Sequence, residues 1–278
     1  MKNQMNKNEL TTANLTGFGK KTALTFIGLL GLTALGFLGS QLATSQFVSA
    51  NDSSLSAAQQ QEVKAIVKEM LVNDPDLLRE AFIALQTREM MKEQAGVEQI
   101  IAANQQALFE TTTDPWKGAE NGEITMVYFT DFNCPYCKQL EPELDKLMAE
   151  FPQLKIIIKM VPLQGQSAVD AVDFAQTVWL NEPQKYLQVK DTLMSAPRRL
   201  DSQAIAKVAS ITDTTNWLNN TDSRVAEAVA ANLELMRALR IGGTPSMVIG
   251  DQIVAGLVPF EQLKLQVEQA LEAQNGDK

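Results

Sequence analysis

The sequence contains no histidine, and its 278 residues include only two cysteines, Cys134 and Cys137. Without histidine there is no Ser-His-Asp triad, no Cys-His protease and no histidine-ligated metal. With two cysteines there is no four-ligand Cys/His zinc site within one chain. Haem attachment through C-x-x-C-H fails as well, because Lys138 follows Cys137. Positive charge is also scarce. Lys and Arg number 24 against 33 Asp and Glu, a formal net charge of −9, which argues against a general nucleic-acid binder. No paired-carboxylate site and no phosphate loop stands out. What is present is an ordinary globular composition, 45% hydrophobic and 21% charged, in a length that allows one or two domains.

The first fifty residues read as an address. Lys2, Lys7, Lys20 and Lys21 precede an apolar run from about Ala23 to Leu38, and a polar stretch ends in Val48-Ser49-Ala50. A basic segment, an apolar segment and a small-residue ending make a secretory signal, with the cut expected after Ala50. The alternative is an uncleaved anchor, since the apolar run approaches the length of a membrane span. No cysteine lies near the cut, which excludes a lipoprotein anchor. Without residues 1–50 the chain keeps 20 bases against 32 acids, a formal −12. Export changes the reading of the cysteines. In an oxidising compartment two cysteines pair readily, but a C-x-x-C loop removes little chain entropy and is a poor staple. Redox chemistry explains so close a pair better.

Helical periodicity marks 62–72, where Val63, Ile66, Val67, Met70 and Leu71 share a face. Asp74 suits an N-cap and Pro75 the first helical position. The next helix carries Leu78, Ala81, Phe82 and Leu85, and a third segment, about 95–110, carries Val97, Ile100, Ile101, Ala107 and Leu108. This arm, 55–110, is short of burial for its apolar face and calls for a partner, unless it folds back on its own chain. Turn formers dominate Thr111–Gly122, and an α/β pattern follows. Strands are expected at Ile124–Thr130 and Lys155–Val161, with a helix opening at Cys134 and containing Pro142. Helices follow at 167–181, 184–195, 202–211 and 222–239. A hairpin, Ser246–Ile249 and Gln252–Ala255, turns at Gly250-Asp251, and a last helix covers about 259–273. A β-α-β unit is thus joined to a β-β-α unit through a helical block.

Thiol–disulfide exchange needs a thiolate to attack and a second thiol to resolve the mixed disulfide. At a helix N-terminus, unpaired N–H groups and the positive end of the macrodipole favour a thiolate at Cys134. Cys134 is therefore expected to be the exposed nucleophile and Cys137, one turn in, the buried resolving thiol. Pro135 suits the first turn, and Tyr136 completes the motif. Gly242-Gly243-Thr244-Pro245 leads into a strand, where a proline is permitted and can be cis. An inert disulfide, or half a copper(I) site, remains the alternative use of the pair.

F-x-D-F-N-C-P-Y-C-K at 129–138 and G-G-T-P-S-M-V-I-G-D at 242–251 make residues 124–274 resemble the DsbA-like branch of the thioredoxin superfamily. The resemblance implies a thioredoxin fold with a helical insertion at about 165–240, within a domain spanning 113–278. It implies Cys134 as nucleophile, Cys137 as resolving thiol, and Thr244-Pro245 as a loop facing them and presenting backbone to a substrate strand. Two departures stand out. The position commonly held by His between the cysteines is Tyr136, and the buried acid often found six residues before the first cysteine is Tyr128. Asp131, the nearest acid, is expected to shape the loop. The segment 51–112, through VKEMLVNDPDLLREAFIALQ and AANQQALF, is similar to the oligomerising arm of ScsC-type (suppressor of copper sensitivity) proteins, implying a homo-oligomer through 55–110.

The reading is therefore an exported thiol–disulfide oxidoreductase of the periplasm or cell envelope, needing neither cofactor nor metal. Its partners would be unfolded or wrongly disulfide-bonded exported proteins. An isomerase would also need a membrane reductase, and a DsbA-type oxidase a quinone-linked oxidase. The competing reading is a copper-binding or copper-tolerance protein, with Met70, Met90, Met91 and Met160 as further soft groups. Lys138, Glu141, Glu143 and Asp145 read as solvated helix positions.

Overall fold

The computed structural model describes residues 55–276 apart from Thr111, so the signal segment and its cut lie outside the described residues. In chain order the elements are α1 (Ala57–Asn73), α2 (Pro75–Ala103), α3 (Gln105–Phe109), β1 (Trp116–Gly118), β2 (Ile124–Thr130), α4 (Pro135–Glu150) and β3 (Leu154–Met160). Next come α5 (Gln166–Asn181), α6 (Pro183–Met194), α7 (Ser202–Ile211), α8 (Val225–Ala238), β4 (Ser246–Ile249), β5 (Gln252–Ala255) and α9 (Phe260–Gly276). Among the described residues no helix is long and apolar enough to cross a membrane.

The sheet order is β1-β3-β2-β4-β5. Of these strands β2 and β3 run parallel, joined by α4 as a crossover helix, and the other neighbours are antiparallel. This mixed sheet with helices on both faces is the expected thioredoxin fold with its helical insertion. Because side chains alternate along a strand, β2 feeds two cores. Ile124, Met126 and Tyr128 join Leu140, Leu144 and Leu147 of α4 and Leu263 and Val267 of α9 on one face. Val127 and Phe129 join Leu235 and Met236 of α8 on the other.

The second face also takes Ile101 from the end of α2 and Leu108 from α3. The expected arm is therefore not uniform. Its stretch from about 97 onward is part of the sheet's cover, while Val63, Ile66, Met70, Phe82, Leu85 and Met91 stay exposed. The two helices expected at 74–110 are also differently divided: α2 runs unbroken for 29 residues and only the short α3 follows. Asp74 caps α2 as expected, accepting from the Leu77 N–H at 3.2 Å, with Pro75 in the first turn. The start of α1 comes earlier than periodicity indicates. Ser56 and Gln59 form a capping box: the Gln59 N–H donates to Ser56 Oγ (3.3 Å) and the Ser56 N–H to Gln59 Oε1 (2.9 Å).

The turn-rich stretch 111–122 hides β1, three residues paired to the edge of β3. Gly118 ends it with φ of 90°, where a side chain would run into the Leu154 carbonyl. A buried ion pair ties the α3 end to the sheet. Lys159 Nζ in β3 donates to Asp114 Oδ2 (2.7 Å) and to the Ala107 carbonyl (2.8 Å), and Asn232 Nδ2 donates to Asp114 Oδ1 (2.9 Å). Burying such a pair is tolerated only when the remaining lone pairs and protons find partners.

Candidate active site

The end of β2 builds the site. Asp131 is fully buried, and its carboxylate organises two loops. Oδ1 accepts from the Asn133 N–H at 2.7 Å, an Asx turn that swings the chain out of the sheet. Oδ2 accepts from the N–H groups of Leu163 (2.6 Å) and Gln164 (2.9 Å), fastening the segment after β3. Burial raises the Asp131 pKa, and these three donors pull against it. The residue thus shapes the loop, as expected, and the signal for it is the D-x-N spacing.

The Cys134 N–H donates to the Asp131 carbonyl at 3.0 Å, and its own carbonyl accepts the Lys138 N–H at 3.2 Å, which makes Cys134 the N-cap of α4 with Pro135 as its first helical residue. Cys137 is sealed as expected, but Cys134 is a correction: it is only 3% exposed, because the Thr244 loop covers its sulfur, and the exposed member of the motif is Tyr136 at 58%. The Thr244–Pro245 bond is cis, and this loop closes on the cysteines: Cys134 Sγ lies 3.3 Å from the Thr244 carbonyl oxygen as its donor. Pro245 lends its own carbonyl to the Gly256 N–H at 2.8 Å. The structure therefore gathers Cys134, Cys137 and Thr244 at one point, with Pro135, Tyr136 and Pro245 flanking them. Both thiols are free.

Their environments drive the two thiols apart. A hydrogen bond from the Cys137 side chain is the largest influence lowering the Cys134 pKa, to about 6, helped by the Cys137 N–H and the Thr244 side chain and opposed by burial. Burial pushes Cys137 strongly upward, and its bond to Cys134 adds to the rise. The pair acts as one system: the proton that stays on Cys137 stabilises the charge on Cys134.

Beneath Cys137 lies Tyr128, fully buried, with Thr130 Oγ1 donating to its hydroxyl at 3.0 Å. Burial, and then the charges of Cys137 and Glu141, hold its phenol well above its ordinary value. Glu141 is a correction to the solvated reading of α4. It is buried, and its Oε2 accepts from Lys190 Nζ (2.5 Å) and Lys117 Nζ (3.3 Å). Lys117 also reaches exposed Asp145 at 2.8 Å. The pattern of polar and apolar residues along α4 carries no trace of this, because both lysines come from distant segments. Lys138 is likewise not free: its Nζ donates to the carbonyls of Ala196 (2.7 Å) and Arg198 (3.4 Å). Among the described residues no group of three or more Cys, Asp or Glu side chains is placed to hold a metal ion.

Comparison with known proteins agrees with this geometry. A family model described as thioredoxin matches residues 110–269. The structure of Proteus mirabilis ScsC in a transitional conformation is 36% identical, with a TM-score of 0.61, and the match covers 79% of this chain and 98% of that one. A periplasmic thioredoxin-like protein from Salmonella enterica serovar Typhimurium is 35% identical, with a TM-score of 0.58, over 60% of this chain and 95% of that one. Disulfide bond formation protein D of Bacillus subtilis is 20% identical over 170 residues, 56% of this chain and 77% of its own length. With the C-P-Y-C motif capping its helix and the cis-proline loop against it, the chain belongs to the thioredoxin family, among its DsbA-like and ScsC-like thiol–disulfide oxidoreductases.

Proposed function

We propose that the protein is exported and reshuffles disulfides in other exported proteins, its arms assembling several copies around one substrate. The observation that carries the reading is the placement of Cys134 at the N-terminus of α4 under the Thr244 loop with Cys137 sealed one turn in, which drives the pKa of Cys134 down and that of Cys137 up. The Cys134 thiolate attacks one sulfur of a substrate disulfide. That S–S bond breaks, a mixed disulfide forms, and the displaced substrate sulfur leaves as a thiolate that takes a proton from water. Resolution by Cys137 first requires its deprotonation, which burial disfavours, so a substrate thiolate has time to attack the mixed disulfide instead. That attack releases Cys134 as a thiolate with no net change in oxidation state. Such a cycle needs Cys134 kept reduced, hence a membrane reductase as partner. As an oxidase the pair would run the other way: a substrate thiolate attacks the Cys134–Cys137 disulfide, a second one displaces Cys134, and a quinone-linked partner takes the two electrons.

The arm supports assembly. Ile66, Met70, Phe82 and Leu85 are exposed along helical faces, and apolar stripes of this kind call for a partner surface. The test is reactivation of scrambled ribonuclease in a glutathione buffer, by the full mature chain and by its Ile66→Asp/Phe82→Asp variant. Activity that falls with the loss of assembly in the variant is the expected result. Rapid oxidation of a reduced peptide without reactivation would replace the isomerase reading with the oxidase one. Absence of both would overturn thiol exchange and leave copper binding through Cys134 and Cys137.

A further inference from the structure

The loop between α6 and α7 is built into the rim of the site. The Leu200 N–H donates to Asn133 Oδ1 at 2.8 Å, and Asn133 is the residue before Cys134. Lys138, the residue after Cys137, holds the loop's other end through the carbonyls of Ala196 and Arg198. Asn133 Nδ2 donates to Ser167 Oγ at 2.9 Å, and Arg199 Nε approaches the same oxygen at 3.3 Å. Arg199 is thus two hydrogen bonds from the residue next to the nucleophile, and its charge reaches the buried Asp131 carboxyl.

Arg198 and Arg199 are both exposed, and neither makes an ion pair among the described residues. Exposed Arg88 and Arg240 likewise make none, whereas Arg79, Arg224 and Arg237 each face a nearby carboxylate; what sets Arg198 and Arg199 apart is the loop that carries them. Asp131, which the Arg199 charge reaches, and Asp201, two residues on in the chain, are engaged elsewhere. Asp131 spends its oxygens on three backbone N–H groups, and Asp201 caps α7 by accepting from the Ala204 N–H at 2.8 Å. Two exposed guanidinium groups outside any ion pair, in a chain of net charge −9, are therefore carried by a loop tethered to Asn133 and Lys138, the residues on either side of the C-P-Y-C motif. The rest of the rim offers apolar groups: exposed Tyr136, Leu163 and Leu257, the last next to the Gly256 N–H that holds the Pro245 carbonyl.

We infer that Arg198 and Arg199 form a specificity element, selecting polypeptide substrates that carry an acidic side chain close to the cysteine under attack. Guanidinium groups suit a carboxylate because their forked donors match its two oxygens. The apolar rim accepts the neighbouring residues of an unfolded chain, and the fixed loop keeps the cationic side on the α4 flank of Cys134. Attraction between exposed charges acts mainly on encounter and weakens with salt.

The inference rests on the thiol-exchange reading, and the test separates the two. Two disulfide-linked model peptides, identical except for Glu or Lys beside one cysteine, are reduced by the reduced full mature chain at low and at molar salt. The Glu peptide is expected to react about fivefold faster at low salt, and the difference to collapse at molar salt. In an Arg198→Glu/Arg199→Glu variant the preference is expected to reverse. Taking the ratio of the two peptides cancels any change in the thiolate itself, and the salt comparison needs no variant at all. Equal rates at low salt, or a ratio that survives the double substitution, would overturn the inference while leaving thiol exchange intact. Reaction with neither peptide would overturn both.

Discussion

Two helical stretches of this protein have the same kind of sequence and opposite fates. In α4, apolar residues at helical spacing, Leu140, Leu144 and Leu147, are wholly buried against β2. In α1 and the first half of α2 the same spacing leaves Ile66 50% and Phe82 57% exposed. One helix even contains both regimes, since α2 carries Met91 in the open and Ile101 in the second core. Periodicity states that a helix has an apolar face. Whether that face is covered depends on a surface that arrives from elsewhere in the chain, or from another copy.

Substitutions can break that comparison. Phe129→Ala, in the second core, is expected to cost about 3–5 kcal/mol of unfolding free energy, whereas Phe82→Ala should stay within about 0.5 kcal/mol in dilute monomer. Chemical denaturation of both variants measures the difference, and equal losses would show the arm to be packed. Glu141→Ala comes next. It removes the buried carboxylate shared by Lys190 and Lys117 and leaves each lysine only an exposed aspartate, Asp191 and Asp145, at a cost of about 2 kcal/mol, below that of a buried charge left wholly unpaired. If the variant is as stable as the native chain, the buried pairing contributes little.

A smaller effect concerns the thiols. Alkylation of reduced Cys134 should show a midpoint near pH 6, and Cys137→Ala should raise it by about one pH unit. The native pKa of Cys134 lies below its ordinary value, so the thiolate stabilises the reduced fold fully above pH 9 and ceases to do so as pH falls through about 6. A midpoint that stays put in the variant would remove Cys137 as the main donor. Smallest of all, Asp74→Ala should cost about 1 kcal/mol or less at the α2 cap, seen as faster hydrogen exchange in its first turn.

Much of the site was legible because its signals are local. A helix opened by Cys134-Pro135 after an apolar strand, and a D-x-N turn before it, depend on neighbours in sequence. The hairpin at Gly250 is legible for the same reason, and its strands match the expected bounds. Three features escaped. Strand β1 is three residues among turn formers, made a strand only by the β3 edge. Glu141 looks like any solvated helix acid until Lys117 and Lys190 arrive from β1 and α6. The start of α1 at Ala57 rests on a capping box whose two members, Ser56 and Gln59, sit in a stretch too polar to show periodicity.

By itself, then, the sequence determined most of the helices and strands, the identity and order of the two thiols, and the chemistry open to a chain without histidine. These follow from spacing, capping and composition, which act over a few residues. The tertiary structure alone decided that Cys134 meets Thr244, 110 residues away, that buried Glu141 stands between two lysines, and which half of α2 is core. Those outcomes depend on what long-range folding brings within a few ångströms, because burial and hydrogen-bond partners set a group's charge and exposure.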